Sequence, residues 1–170
     1  MSNFKTIDVK NFKFDPFEKI GEDWMLITAE KGNKVNTMTA SWGGMGVMWN
    51  HKVVMIFVKC ARYTKEFLDG SDAFSVSFYD IDKYHKDLTY LGTVSGRDED
   101  KIEKVGFHTE YEEGIPYFTE AKTVLLCKKM SRHFLSPESI FDKSVVPTWY
   151  QDGNGFHDMY IGEIIKVMDS

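Results

Sequence analysis

The chain is short of the residues and runs that mark several common protein classes. It has two cysteines in 170 residues, Cys60 and Cys127. That is too few for the disulfide framework of a small secreted protein, so both are expected to be reduced thiols. Its five histidines, His51, His85, His108, His133 and His157, show no paired spacing with one another or with the cysteines, which argues against zinc and gives no metal site. No run approaches the roughly 18 apolar residues of a membrane-spanning helix. Lys5, Asp8, Lys10 and Lys13 interrupt the segment where a signal peptide would need a continuous apolar core, so the expected location is the cytosol. Gly92-Thr93-Val94-Ser95-Gly96 lacks the Gly-x-Ser-x-Gly offset of a nucleophile elbow. Gly43-Gly44-Met45-Gly46 does not open a long helix inside a βαβ unit, so a Rossmann fingerprint is missing too. Repeats, low-complexity tracts and linkers rich in Pro, Gly and Ser are also missing, which favours one continuous domain over residues 1–170.

What remains is a chain able to fold: 42% of its residues are apolar and 15% aromatic. Its length suits one domain with a sizeable core. With 21 basic and 26 acidic residues the formal net charge is −5, which argues against a general nucleic-acid binder. Lys59, Arg62 and Lys65 stand against that overall sign.

Two short segments concentrate ligand-binding chemistry. In Asn36-Thr37-Met38-Thr39-Ala40-Ser41-Trp42 a period of two puts Thr37, Thr39 and Ser41 on one face and Met38, Ala40 and Trp42 on the other. A ladder of hydroxyls suits a ligand with phosphate oxygens, a polyol and a heteroaromatic ring; it equally suits a strand whose Thr and Ser face water. Gly43 to Gly46 is expected to end that strand in a flexible loop. The second segment follows the unbroken apolar run Val53-Val54-Met55-Ile56-Phe57-Val58, a strand buried on both faces that leaves the core at Lys59. Arg62-Tyr63-Thr64 then opens a short helix with Thr64 as N-cap and Gly70 as its stop. Amides at a strand-to-helix turn, the Arg62 guanidinium and the Thr64 hydroxyl make a place for a phosphate monoester, or an ordinary cap beside a solvated arginine.

Strands are expected over 23–30, 36–42, 53–59, 73–79, 121–130 and 157–168, and helices over 64–69, 83–92 and 98–105. Ser136-Pro137-Glu138 signals a further short helix through Phe141. Connections too short for helical crossovers favour a mainly β, antiparallel barrel with a few peripheral helices. The aromatic arm holding Phe4, Phe12, Phe14 and Phe17 is expected to pack on the barrel or on a partner subunit.

Several residues carry two readings. Cys60 is either a redox thiol or a small residue that lets a ligand approach, whereas Cys127 lies in a core-strand pattern. Ser95 and Lys101 either reach a ligand or belong to a helix cap and a solvated charge run. His157 and Tyr160 approach either a ligand or a subunit contact, and Trp42 and Trp49 either cover a ring or pack in the core.

The N-x-M-T-A-S-W segment, the R-Y-T turn, Ser95-Gly96 followed by Asp100-Lys101, and His157-Asp158-Met159-Tyr160-Ile161-Gly162-Glu163-Ile164 resemble the flavin reductase and flavoredoxin family. The match in order and approximate spacing runs from about residue 20 to residue 168. The resemblance implies the FMN-binding split barrel, a homodimer, and FMN near the subunit interface. Its phosphate would be held by Thr39, Ser41, Arg62 and Thr64, with the ring along the backbone from Met38 to Ala40. The binding set implied in full is Asn36, Met38, Thr39, Ala40, Ser41, Trp42, Lys59, Cys60, Arg62, Thr64, Ser95, Gly96 and Lys101. A nicotinamide nucleotide is the implied reductant, with a redox partner protein as the alternative. No catalytic residue is assigned, since the flavin supplies the redox chemistry.

Overall fold

Alternation with a period of two builds one curled sheet and dictates what lies on each side of it. In the computed structural model, which describes residues 4–170, strand β2 (Met25–Lys31) turns Met25, Ile27 and Ala29 into the main core and Leu26 to the opposite side. Strand β9 (Thr123–Phe134) does the same, with Leu125 and Cys127 inside and Val124 and Leu126 outside. The other strands are β1 (Lys5–Ile7), β3 (Lys34–Ala40), β4 (Gly43–Met48), β5 (His51–Lys59), β6 (Ala73–Phe78) and β10 (His157–Asp169). These eight form one sheet in the order β3-β2-β6-β9-β10-β5-β4, with β1 on the far end of β10, and all its pairings are antiparallel.

The two strands at the ends of that order, β3 and β4, are joined in sequence by Ser41 and Trp42 alone. The sheet must therefore curl until its edges meet, yet no ladder joins β3 to β4, and the barrel stays split along that seam. Strand β10 anchors the structure, pairing with β9 along one side and with β5 and β1 along the other. Its register slips at Gly162, where a Cβ would fall 2.6 Å from Phe74 Cζ. Only glycine lets that core ring lie so close to the strand.

The outer face of the sheet is covered by helix α2 (Ile81–Thr93), helix α3 (Lys101–Val105) and the hairpin of β7 (Thr109–Glu112) with β8 (Ile115–Phe118). Helix α2 buries Leu88 and Leu91 completely, each contributing about 1.5–3 kcal/mol. Helix α1 (Tyr63–Asp69) follows β5 and buries Thr64, Phe67 and Leu68. The aromatic arm docks as expected: Phe12 and Phe14 pack on the main core and Phe4 sets its edge against Tyr117. Phe17 does not dock on the barrel and is 87% exposed.

Several local expectations are corrected. Gly43 to Gly46 is part of strand β4, not a loop, because Trp49 and Asn50 take positive φ values of 48° and 60° and turn the chain tightly into β5. The N-cap of α1 is Arg62, not Thr64, and helix α3 begins at Lys101, capped by the Asp100 carboxylate accepting from the Glu103 amide at 3.0 Å. The element after Ser136 is a single 3-10 turn over Pro137–Ser139. The β7–β8 hairpin, the π-helical turn at Phe17–Glu22 and helix α4 (Val145–Trp149) carry no clear periodicity and were not expected.

Candidate functional site: a two-chambered cleft beside the barrel seam

Strand β3 has a ladder with β2 on one side only, and the cleft lies along it. The expected hydroxyl ladder divides. Thr37 is fully buried, its hydroxyl donating to Ile27 O at 3.0 Å and bonded to the Thr28 hydroxyl at 2.9 Å. Thr28 and Thr37 face each other across the strands and satisfy one another inside the protein, so Thr37 faces no ligand. The Thr39 hydroxyl is likewise engaged, donating to Leu88 O at 2.5 Å. The lining from β3 comes instead from Asn36 and Met38, and beyond them from the segment Thr39 to Trp42.

The larger chamber, of about 460 Å³, lies between β3, the start of α1 and the loop after α2. Asn36, Met38, Lys59, Arg62, Thr64, Ser95, Gly96 and Lys101 all line it, as does Arg97. Four cations, Lys59, Arg62, Arg97 and Lys101, thus face a chamber with a single carboxylate, Asp152. Asp152 pairs with Lys59, which holds its carboxyl down at about 2. Asn36 donates through Nδ2 to the Thr64 hydroxyl at 2.9 Å, which leaves the Thr64 proton to donate elsewhere. The first amides of α1 have no acceptor within the helix. Cations, hydroxyls and amides are the donor set that a phosphate monoester requires.

Lys101 lines the chamber and is no part of a solvated charge run, but its ammonium is engaged by backbone carbonyls. It is 4% exposed, and its ammonium donates to Leu91 O at 2.7 Å and Val94 O at 2.9 Å. Arg62 donates to Gly92 O at 2.7 Å. Two cations therefore hold the carbonyl end of α2, where the helix dipole favours them. Burial, with the nearby Arg62 charge, pulls the Lys101 ammonium down to about 8. Ser95 accepts from the Arg97 amide at 3.2 Å, which fixes the turn after α2.

The smaller chamber, of about 210 Å³, continues from the first through the shared residues Met38, Lys59 and Arg62. Thr39, Ala40, Ser41 and Trp42 form one wall, and Phe57, Trp149 and His157 face them. Trp42 meets Trp149 edge-on at 5.1 Å between centroids and lies 5.0 Å from the His157 ring. His157 shares a hydrogen bond of 2.8 Å with the Tyr150 hydroxyl. Burial, then the Lys59 and Arg62 charges, lowers it to about 4, so it is neutral at ordinary pH.

Other expectations fail at particular atoms. Cys60 lines neither chamber; it is exposed, and its amide donates to Phe156 O. Tyr160 lines neither chamber; it is fully buried and donates to Asp69 Oδ1 at 2.6 Å, within a group that includes Lys65, Asp158 and Arg132. Trp49 sits in the β4–β5 turn, not over the cleft. The segment carrying Trp149, Asp152 and Asn154 was missed, because nothing in its composition marks it as a wall. Among the described residues no cluster of His, Cys, Asp or Glu is placed to hold a metal, and no helix is long and apolar enough to cross a membrane.

A search of curated proteins returned no match. Among solved structures, flavoredoxin from Methanosarcina acetivorans is similar over 98% of this chain and 76% of its own, with 23% identity and a TM-score of 0.69. An FMN-binding domain of a flavin reductases-like enzyme from Shewanella baltica OS155 is similar over 99% of this chain and 78% of its own, at 14% identity and a TM-score of 0.70. Flavoredoxin of Desulfovibrio vulgaris (Miyazaki F) covers 86% of this chain and 68% of its own, at 22% identity and a TM-score of 0.65. These likenesses establish the fold. The family follows from the sequence itself: the model of the flavin reductase like domain matches residues 17–169, from the π-helical turn to the end of β10, and the chain belongs to that family.

Proposed function

We propose that the protein binds FMN and acts as a flavin reductase-like oxidoreductase, taking electrons from a nicotinamide nucleotide, as a homodimer in the cytosol. The observation that carries this reading is the junction of two unlike chambers through Met38, Lys59 and Arg62, one cationic and one aromatic. A phosphate monoester suits the first and a planar ring the second. The separation of a phosphate from a ring by a polyol is the shape of FMN.

Bound FMN would supply reversible hydride and electron acceptance. The protein's residues bind and orient. Arg62 and Lys59, which line both chambers, set the phosphate end relative to the ring end. Trp42, Trp149 and neutral His157 would enclose the ring and exclude water. Met38 to Ala40 offer an edge strand whose free side can meet a heteroaromatic edge. Exposed Phe17 and Trp149, near the mouth of the smaller chamber, provide apolar surface of the kind a second copy would cover.

One observation favours a second reading, a flavoredoxin-type electron carrier serving a protein partner. The aromatic chamber is small and Trp149 stands over it, which leaves little room to stack a nicotinamide on a bound ring. The absorbance spectrum of the purified protein and its titration with FMN test the common ground; no yellow chromophore and no uptake would sink both readings. Steady-state oxidation of NADH and NADPH with excess FMN separates them, because a carrier shows negligible turnover without a separate reductase.

A further inference from the structure

Strand β3 runs the length of the cleft. Thr39 and Ala40 line the ring chamber, Met38 lines both chambers, and Asn36 lies in the phosphate chamber. Lys34 and Asn33 come next, and they line a third cavity of about 680 Å³. From Met38 to Lys34 the strand advances ~14 Å at about 3.4 Å per residue. A ligand laid along β3 with its ring at Ala40 and its phosphate near Asn36 therefore points its phosphate at this third cavity. A flavin dinucleotide differs from the mononucleotide only by the AMP attached to that phosphate, and the third cavity is where the AMP would extend.

A wall stands between the two cavities. Gly96 is seated on β3 so closely that a Cβ there would lie 2.2 Å from Asn36 Oδ1 and 3.3 Å from Tyr63 Cδ1. Lys34 reaches across, donating to Gly96 O at 3.4 Å and to the Tyr63 hydroxyl at 3.5 Å. Arg97 lies over the Tyr63 ring at 4.6 Å, bonds Ala61 O at 3.4 Å and pairs with Glu66 at 2.5 Å. Beyond the wall carboxylates gather, for Asp98, Glu99, Asp100 and Glu103 line the third cavity against Lys34, Arg97 and Lys101. Two of these carboxylates are fixed, Asp100 by capping α3 and Glu99 by accepting from the Tyr90 hydroxyl.

We infer that the clasp of Gly96 on Asn36 and Lys34, with the acidic rim behind it, ends the site at one phosphate and makes Lys34 a specificity-determining residue against flavin dinucleotides. The inference rests on the flavin reading above and adds to it the choice between mononucleotide and dinucleotide. Sterically, the clasp fills the path of the second phosphate. Electrostatically, that phosphate would leave a chamber where four cations face one carboxylate for a cavity where four carboxylates outnumber three cations. Lys34 lines only the third cavity, so its removal opens the wall without taking a cation from the phosphate chamber; because it also leaves the third cavity more acidic, any gain in FAD binding reports the steric part of the clasp.

The test is equilibrium binding of FMN and of FAD to the whole protein, followed by quenching of flavin fluorescence, for the wild type and for Lys34→Ala. The wild type is expected to prefer FMN by at least about tenfold, ~1.4 kcal/mol. Lys34→Ala is expected to narrow that preference at least about threefold, through tighter FAD binding with FMN affinity nearly unchanged. Equal affinity of the wild type for both flavins overturns the inference alone and leaves the flavin reading standing. A wild-type preference that Lys34→Ala does not narrow overturns the clasp as its source. Binding of neither flavin overturns the flavin reading, and this inference with it. Should Lys34→Ala fail to fold, the wild-type ratio decides by itself.

Discussion

The Asn36 side-chain amide donates to the Thr64 hydroxyl across 2.9 Å, tying edge strand β3 to the first turn of α1 beneath the phosphate chamber. Both side chains are buried, at 2% and 1% exposure. Asn36→Leu leaves the Thr64 hydroxyl without this donor, and removing one partner of a buried hydrogen bond costs about 1–3 kcal/mol. Chemical denaturation checks this; a midpoint equal to that of the wild type would show that the bond does not tie the elements together.

Arg62→Ala is expected to weaken FMN binding by about 1.5–3 kcal/mol, the range for a charge-assisted hydrogen bond. The substitution also frees Gly92 O at the end of α2, so titration with FMN should be read beside thermal unfolding. An unchanged FMN affinity would reject Arg62 as a phosphate ligand.

Lys101 gives a pH dependence of definite sign. Its ammonium titrates at about 8 in the folded chain, against 10.5 ordinarily. Below pH 8 it is protonated in both folded and unfolded chains, and the cost of burying its charge is present in full. Between about 8 and 10.5 the unfolded chain holds the proton that the folded chain has lost, so this residue's contribution to stability rises with pH. FMN affinity moves the other way, because the chamber loses a cation. A phosphate monoester is already dianionic above its second pKa of about 6. Binding measured from pH 7 to 9 is expected to weaken in the wild type and to stay level in Lys101→Met.

His157 gives a second window, on the acid side. Its imidazole titrates at about 4 in place of 6.5, so as pH falls through 6.5 the unfolded chain takes up a proton that the folded chain refuses. Stability is expected to decline from pH 6.5 to 4 and this contribution to level off below. His157→Gln should flatten that part of the stability profile, followed by denaturation at each pH.

Gly162→Ala would place a Cβ 2.6 Å from Phe74 Cζ in the core. Overpacking of this kind costs about 1–3 kcal/mol. Thermal unfolding checks it, and a neutral result would mean that β10 can shift at its bulge.

How much of this was legible beforehand depended on whether the cause was local. Phe74, Val76 and Phe78 alternate, and Leu88 and Leu91 recur at helical spacing, so β6 and α2 could be placed from the sequence. Strand β4 could not, because three glycines suggest a loop and the decisive signal lay in the Trp49-Asn50 turn. The site divided the same way. Asn36, Arg62 and Gly96 were found through motifs. The inward turn of Thr37 was missed because its partner, Thr28, sits on the neighbouring strand. Lys101 was expected at a ligand and serves the end of α2, a contact set by how α3 folds back on α2. Asp152 and Trp149 reach the cleft by tertiary placement, which no periodicity encodes.

The side of β3 that carries no ladder has a bearing on how the protein behaves in a crowded solution. An uncovered strand edge is a template for pairing with another chain. Helices α1 and α2 pack against β3, and the chambers open along the rest of it. Whatever fills the cleft therefore also shields a surface prone to self-association, so retention of the ligand and resistance to aggregation should rise and fall together.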